Sequence, residues 1–435
     1  MGLVKYLGKP YLSPEGGITI LLFLTFLVMP MGTSPFTILG GCLVALWLFT
    51  GEWIRKRHLL FKATWLVPVL AMIVLSLLGL IYTPDLDGLG LKYAKKNHYW
   101  IYAVVFSTVV FPKKSVDRLM YAFMIGLLIN ALAGFLQAMG VVPVFADIGN
   151  RGYVGLYGGH NTLAMLLVLG LLIASFYFRN GTKKSEKATY ALLMIAFFLH
   201  IVIMESRGGY LILVLMSPII VHNLFPRVSL WATAGLYLLL IALTFSTPVV
   251  RERAVNTYEK LSEQYNEGED FRWGRKYSKS MDRIYMWHWA TKLFLQNPVL
   301  GVGTGGYKQA TLNAGGDMGV DHPHNNILFV AANHGFAGLI VFLWLFWVLM
   351  RNGFKNRRSN TGFFILSSAL VLFVGGFTET HIIDAGGAFL LSVTTGLQGS
   401  LKEIGSPMSQ TTGIPGSPGQ KAARGVFFQE PGPIT

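Results

Sequence analysis

The 435-residue chain is 53% hydrophobic and only 13% charged, more apolar surface than a soluble domain can hide, so a bilayer must act as its solvent. Its net charge of +15 comes from Lys and Arg set between apolar runs, not from a basic face with interleaved aromatics, which points to the membrane surface and away from nucleic acid. Cys42 is the only cysteine, so neither a disulfide framework nor a thiolate metal site is available.

Apolar runs long enough to cross roughly 30 Å of hydrocarbon recur from Gly17 to Leu397, and polar or Gly/Pro-marked breaks separate them. The sequence predicts an all-α polytopic membrane domain over 1–401, with about twelve transmembrane helices. The expected spans are 17–30, 33–50, 64–82, 98–111, 117–138, 159–178, 188–205, 208–224, 228–247, 325–350, 362–378 and 381–398. The first follows Lys5 and Lys9 like a signal sequence, but no A-x-A-like cleavage site comes after it, so it reads as an uncleaved first helix. Short cytoplasmic loops are rich in Lys and Arg. With the N-terminus inside, Arg55–Arg57, Lys113–Lys114, Lys183–Lys187 and Arg351–Arg358 all fall inside, and the short outer connections keep only Lys92, Lys95, Lys96, Arg151 and Arg207. Both termini are then cytoplasmic.

Between the ninth and tenth spans the segment 248–325 is too long for a simple connection and faces outward, which marks it as functional. Within it, Ile284 to Leu295 carries Trp287, Trp289, Leu293 and Phe294, the pattern of a helix lying in the interface or of a plain packed loop helix. After Leu401 the chain turns to Gly, Pro, Ser and Gln, so 402–435 is expected to be a disordered cytoplasmic tail.

The densest polar cluster at a membrane boundary is Asp321-His322-Pro323-His324-Asn325-Asn326, leading into an apolar helix that continues through Asn333-His334-Gly335-Phe336-Ala337-Gly338. A neutral imidazole there can take a proton from a sugar hydroxyl. Asn325 can orient or satisfy that imidazole. Gly335 and Gly338, within about 40° of the His324 face at 100° per residue, let a neighbouring helix approach. Ordinary interfacial histidines are the alternative. No H-E-x-x-H spacing favours zinc, so no metal is expected.

Glu205-Ser206-Arg207-Gly208 is wedged between two apolar spans on the outer side, and charge at such depth is a functional-site hypothesis by default. Arg207 offers a planar fork of donors to a phosphate, or it pairs with Glu205 to close a tight hairpin. Arg283 and Arg151 add cations on the same side. Gly301-Val302-Gly303-Thr304-Gly305-Gly306 fits GxGxxG without a βαβ context, so it reads as a tight turn whose amides could still form an anion nest. Asp85-Leu86-Asp87 reads as a solvated loop.

His324-Asn325, nine residues, then Gly335-Phe336-Ala337-Gly338 fits H-[NSQ]-x9-G-x-x-[GTV], and the chain here resembles bacterial O-antigen ligases. Arg283 through Trp287 to Asn297-Pro298-Val299-Leu300-Gly301-Val302-Gly303 is similar to the preceding segment of that superfamily. The resemblance implies a metal-independent, cofactor-free, GT-C-like inverting glycosyltransferase of the bacterial inner membrane. It would move a polysaccharide from undecaprenyl pyrophosphate onto a sugar hydroxyl of the lipid A core in the periplasmic leaflet. His324 would be general base; Arg207 and Arg283 would hold the pyrophosphate; Arg151, Asn325, Gly335 and Gly338 would complete the substrate site. The expected partners are those two amphiphiles and membrane lipids, and the expected state is a monomer. An O-antigen polymerase or protein O-oligosaccharyltransferase shares parts of this architecture. A lipid-linked glycan flippase, the reading from another class, would need charges along the whole bundle.

Overall fold

Apolar runs become helices here because a backbone removed from water must satisfy its own N–H and C=O groups within the segment. The structure is a computed structural model and describes residues 14–109, 113–144, 152–229, 231–233, 235, 237, 279–316 and 319–403. Among the described residues every regular element is helical and no strand is found.

Besides short non-α turns at Leu86–Gly90 and Lys95–Tyr99, the α-helices in chain order are α1 (Pro14–Val28), α2 (Thr33–Thr50), α3 (Glu52–Phe61), α4 (Leu66–Leu78), the four-residue α5 (Leu91–Ala94), α6 (Trp100–Thr108), α7 (Lys113–Ala138), α8 (His160–Asn180), α9 (Lys184–Ile203) and α10 (Arg207–Leu224). There follow α11 (Lys279–Gln296), α12 (Tyr307–Asn313), α13 (Asn326–Lys355), α14 (Asn360–Gly375), α15 (Ala385–Gly396) and α16 (Gln398–Glu403).

Each expected span except 228–247 coincides with a helix; that one lies largely outside the described residues. Several are short. With 13 and 9 residues, α4 and α6 are about 20 and 14 Å long at 1.5 Å per residue, less than the hydrocarbon thickness. Among the described residues six helices are long and apolar enough to cross a membrane, namely α2, α7, α8, α9, α10 and α13, or up to seven if α3 and α4, bent by 96°, form one broken span. A polytopic membrane protein is the architecture these helices fit.

The bundle is built around α8. Of its apolar window 89% is buried, against 17% for α9, so α8 is the axis and α9 a peripheral helix. The exposed large residues of α9, Leu192, Ile195, Phe198, Leu199 and Val202, recur at helical spacing and form an outward apolar stripe that suits lipid. Around α8 pack α7, α9, α10 and α14, while α13 lies against α4, α11 and α14.

The segment around Ile284 to Leu295 is a packed loop helix. In α11, Met286, Trp289, Ala290 and Leu293 are buried with Tyr307 and Ala332, and the Tyr307 hydroxyl donates to the Met286 carbonyl at 2.8 Å. The charged stretch before it, and the tail after Glu403, lie outside the described residues.

Candidate active site

The polar cluster before α13 is shaped by a cap and by strain. Asn325 has extended backbone and its side chain accepts from Leu328 N at 3.1 Å, so the helix starts at Asn326 for the usual N-cap reason. Its Nδ2 donates to the Phe377 carbonyl. Asn325 is thus spent on the helix end and not on an imidazole. His324, one residue earlier, has φ 49°, a left-handed conformation that a non-glycine residue holds only when its surroundings over-determine it.

Those surroundings are the turn between α14 and α15. His324 Nδ1 lies 2.6 Å from Glu379 Oε1, and the other carboxylate oxygen accepts from Asn161 Nδ2 at 2.6 Å. Thr380 Oγ1 accepts from Asn325 N and lies 3.1 Å from His322 Nδ1. Burial alone would raise the Glu379 carboxyl, but the hydrogen bond from His324 and the fields of His324 and His381 hold it well below the usual carboxylate range. In the neutral form of the ring an ionised carboxylate favours the tautomer with the proton on Nδ1, which puts the lone pair on Nε2, directed away from Glu379. Burial, then the neighbouring His324, push His322 down to about 4, so His322 is neutral near pH 7.

The same carboxylate links His324 to Arg207. Asn161, in the first turn of α8, accepts through Oδ1 from Ser206 Oγ at 3.4 Å, and Ser206 caps α10 by accepting from Gly209 N at 3.2 Å. Arg207 is the first residue of that helix and is exposed. Among the described residues no ion pair joins it to Glu205, whose φ is 53°. Arg283 lies one turn before Trp287 on α11, hence on the same helix face, and Trp287 Nε1 donates to the Pro323 carbonyl at 3.0 Å. Asp321 ties the other side of the loop, receiving Lys92 at 3.2 Å and Lys308 at 3.0 Å.

Arg151 lies outside the described residues. The residues after it are pinned close to the Arg207 turn: Tyr153 N donates to the Ile203 carbonyl at 3.3 Å, and Asn130 and Gln137 of α7 hold residues 154–156 by paired amide hydrogen bonds.

The glycines of the expected motif act differently from the expectation of helix packing. At Gly335 the helix breaks, with φ 60° and ψ −155°, so a 100° projection from His324 does not carry through, and His324 itself is not helical. What approaches is a loop. Phe336 N donates to the Pro298 carbonyl at 2.7 Å and Ala337 N to Val299 at 3.1 Å, while Val302 N and Gly303 N donate to Ala332 and Asn333 at 2.9 and 3.0 Å. A Cβ on Gly335 would sit 2.5 Å from the Pro298 oxygen. Gly338 faces His334 of the preceding turn.

The glycine-rich turn is therefore a structural dock. Its amides at 301, 302, 303, 304 and 306 all donate to backbone carbonyls, which leaves no anion nest there. Asp85 caps the turn Leu86–Gly90 by accepting from Leu89 N at 3.0 Å.

His322, His324 and Glu379 place donor atoms within 4.8 Å of one another. The 2.6 Å between His324 Nδ1 and Glu379 Oε1 is shorter than the roughly 3.3 Å separating two donors on a tetrahedral zinc with about 2.0–2.1 Å bonds. The pair fits a hydrogen bond and does not fit joint ligation.

Glu379 and Asn161 were not among the expected site residues. Glu379 could have been found as a lone carboxylate between two apolar runs; Asn161 gives no comparable signal.

Two comparisons bear on this geometry. Residues 191–343 match the family described as O-antigen ligase, a segment that includes Arg207, Arg283, His324, Asn325, Gly335 and Gly338. The comparison with curated proteins gave no match.

Proposed function

We propose, from the match of residues 191–343 to the family described as O-antigen ligase, that the chain is an O-antigen ligase acting on two lipid-borne glycans at one face of the membrane. The observation that carries this reading is the 2.6 Å contact between His324 Nδ1 and Glu379 Oε1, which leaves Nε2 as a base. The donor is a polysaccharide on undecaprenyl pyrophosphate and the acceptor a sugar hydroxyl of the lipid A core. As the acceptor oxygen attacks the anomeric carbon, its proton passes to His324 Nε2 and the carbon–oxygen bond to pyrophosphate breaks. The lipid pyrophosphate leaves with the electron pair. Direct displacement inverts the anomeric centre.

Arg207 and Arg283 stabilise the charge that grows on the leaving group, and Arg151 is proposed as a further cation for the same role. Energy comes from the donor linkage, so the reaction needs no nucleotide, and on this reading the arginines take the place a metal ion would hold on the leaving pyrophosphate. About twelve spans in a GT-C-like arrangement, with both termini cytoplasmic and the His324 loop facing the periplasm, complete the reading.

The test uses purified protein with the lipid-linked polysaccharide and lipid A core in detergent containing EDTA, followed by the gel shift of the acceptor. Wild type should shift it and His324→Ala, equally well folded, should not. Growth of the lipid-linked glycan in place of a shifted acceptor would make the chain a polymerase, and wild-type transfer by His324→Ala would remove His324 from the chemistry.

A further inference from the structure

Close to the His324 loop lies a cavity of about 90 Å³ between α4, residues 93–100, α13 and α15. Phe329, on the first turn of α13, and Ile382, in the turn that carries Glu379, both line it. Tyr93, Tyr99, Trp100 and Leu391 give it aromatic and branched walls, beside the polar Ser76, Asn97, Thr304 and Ser392. Three features single it out.

Lys96 lines it, with Nζ 5.9 Å from the Tyr99 ring, and among the described residues no carboxylate pairs with that lysine. His334 also lines it, and its Nδ1 is buried without a hydrogen-bond partner among the described residues. The polar wall near Lys96 is pre-arranged, since Asn97 Nδ2 donates to Ser76 Oγ at 3.0 Å. A cation beside an apolar recess suits an amphiphile whose phosphate joins directly to hydrocarbon. An apolar cavity of roughly 150 Å³ holds a benzene ring, so this smaller one has room for a short branched unit and not for a whole lipid tail.

We propose that this cavity seats the branched hydrocarbon unit next to the phosphate of a polyprenyl phosphate, with Lys96 on that phosphate and the rest of the chain left in the bilayer. The inference rests on the ligase reading for the identity of the lipid.

Binding is measured on the full-length protein in detergent by native mass spectrometry, with undecaprenyl phosphate as probe and phosphatidylglycerol in parallel. Lys96→Gln removes the cation, and Ser392→Leu fills the cavity from α15. Wild type should retain undecaprenyl phosphate in preference to phosphatidylglycerol, and each variant should weaken that binding at least tenfold. Equal retention of the two lipids would overturn the proposal, as would wild-type binding by Lys96→Gln, which decides the matter alone if Ser392→Leu does not fold. The readout needs no transfer reaction. A protein that fails to ligate yet binds undecaprenyl phosphate through Lys96 sinks the ligase reading and keeps the cavity. A competent ligase whose variants bind like wild type does the reverse.

Discussion

A carboxylate against Nδ1 of a histidine fixes the tautomer and also stabilises the imidazolium that forms when Nε2 takes a proton. Glu379 is placed for both, at 2.6 Å from His324, with its second oxygen held by Asn161. Glu379→Gln keeps an acceptor beside Nδ1 but loses the charge, whereas Glu379→Ala loses both. Both variants should lower kcat, Gln by up to about 10⁴-fold because the amide no longer stabilises the imidazolium, with KM for the donor little changed. Steady-state transfer assays check this, and equal rates for Gln and wild type would confine Glu379 to a packing role. At this scale the sequence was half legible. The motif spacing exposes His324 directly, but its partner lies far along the chain in a turn that hydropathy marks only as a gap between 362–378 and 381–398. Asn325 shows the converse, a residue visible in the motif whose side chain turns out to hold a helix end.

The elements were more legible than their interruptions. A bilayer demands long apolar runs and those runs are plain in the sequence, so α7, α8, α9, α10 and α13 stand where hydropathy puts them. The break in α13 leaves no such mark, because a lone glycine in a helical pattern is tolerated at modest cost. Gly335 is instead required by its conformation, φ 60° and ψ −155°, a region nearly exclusive to glycine that costs other residues about 1–3 kcal/mol. A Cβ would also meet the Pro298 and Val299 backbone, pushing the 297–303 loop off α13. Gly335→Ala should therefore lower the melting temperature in detergent and reduce transfer, while Ala337→Gly, two residues on, should cost only the ordinary helix penalty of about 0.5–1 kcal/mol and leave transfer intact. An unshifted melting curve for Gly335→Ala would show that the break is not fixed by this residue.

Across the whole molecule, charge sets two further expectations. If Lys and Arg hold the short loops inside, a cysteine replacing Lys95 in a Cys42→Ser background should react with an impermeant maleimide from the periplasmic side, and one replacing Lys183 should not; the opposite labelling would invert the topology. The second concerns acid. His322 is held at about 4 in the folded chain, below the ordinary histidine value near 6.5. As pH falls through that window the unfolded chain takes up a proton that the folded chain refuses, so stability decreases with acidification and levels off below about 4. Glu379, depressed in the fold, acts in the same direction at lower pH: its contribution is complete above the ordinary carboxylate range and is lost as pH drops toward its folded value. Of these two groups His322 is the larger between pH 7 and 5, where it costs about 2 kcal/mol at pH 5. His322→Gln removes the titrating group yet keeps a polar side chain facing Thr380, so its melting temperature should fall less steeply than that of wild type over that range. Parallel melting curves would mean that His322 accepts its proton without cost, and that the acid sensitivity of the fold arises at other histidines.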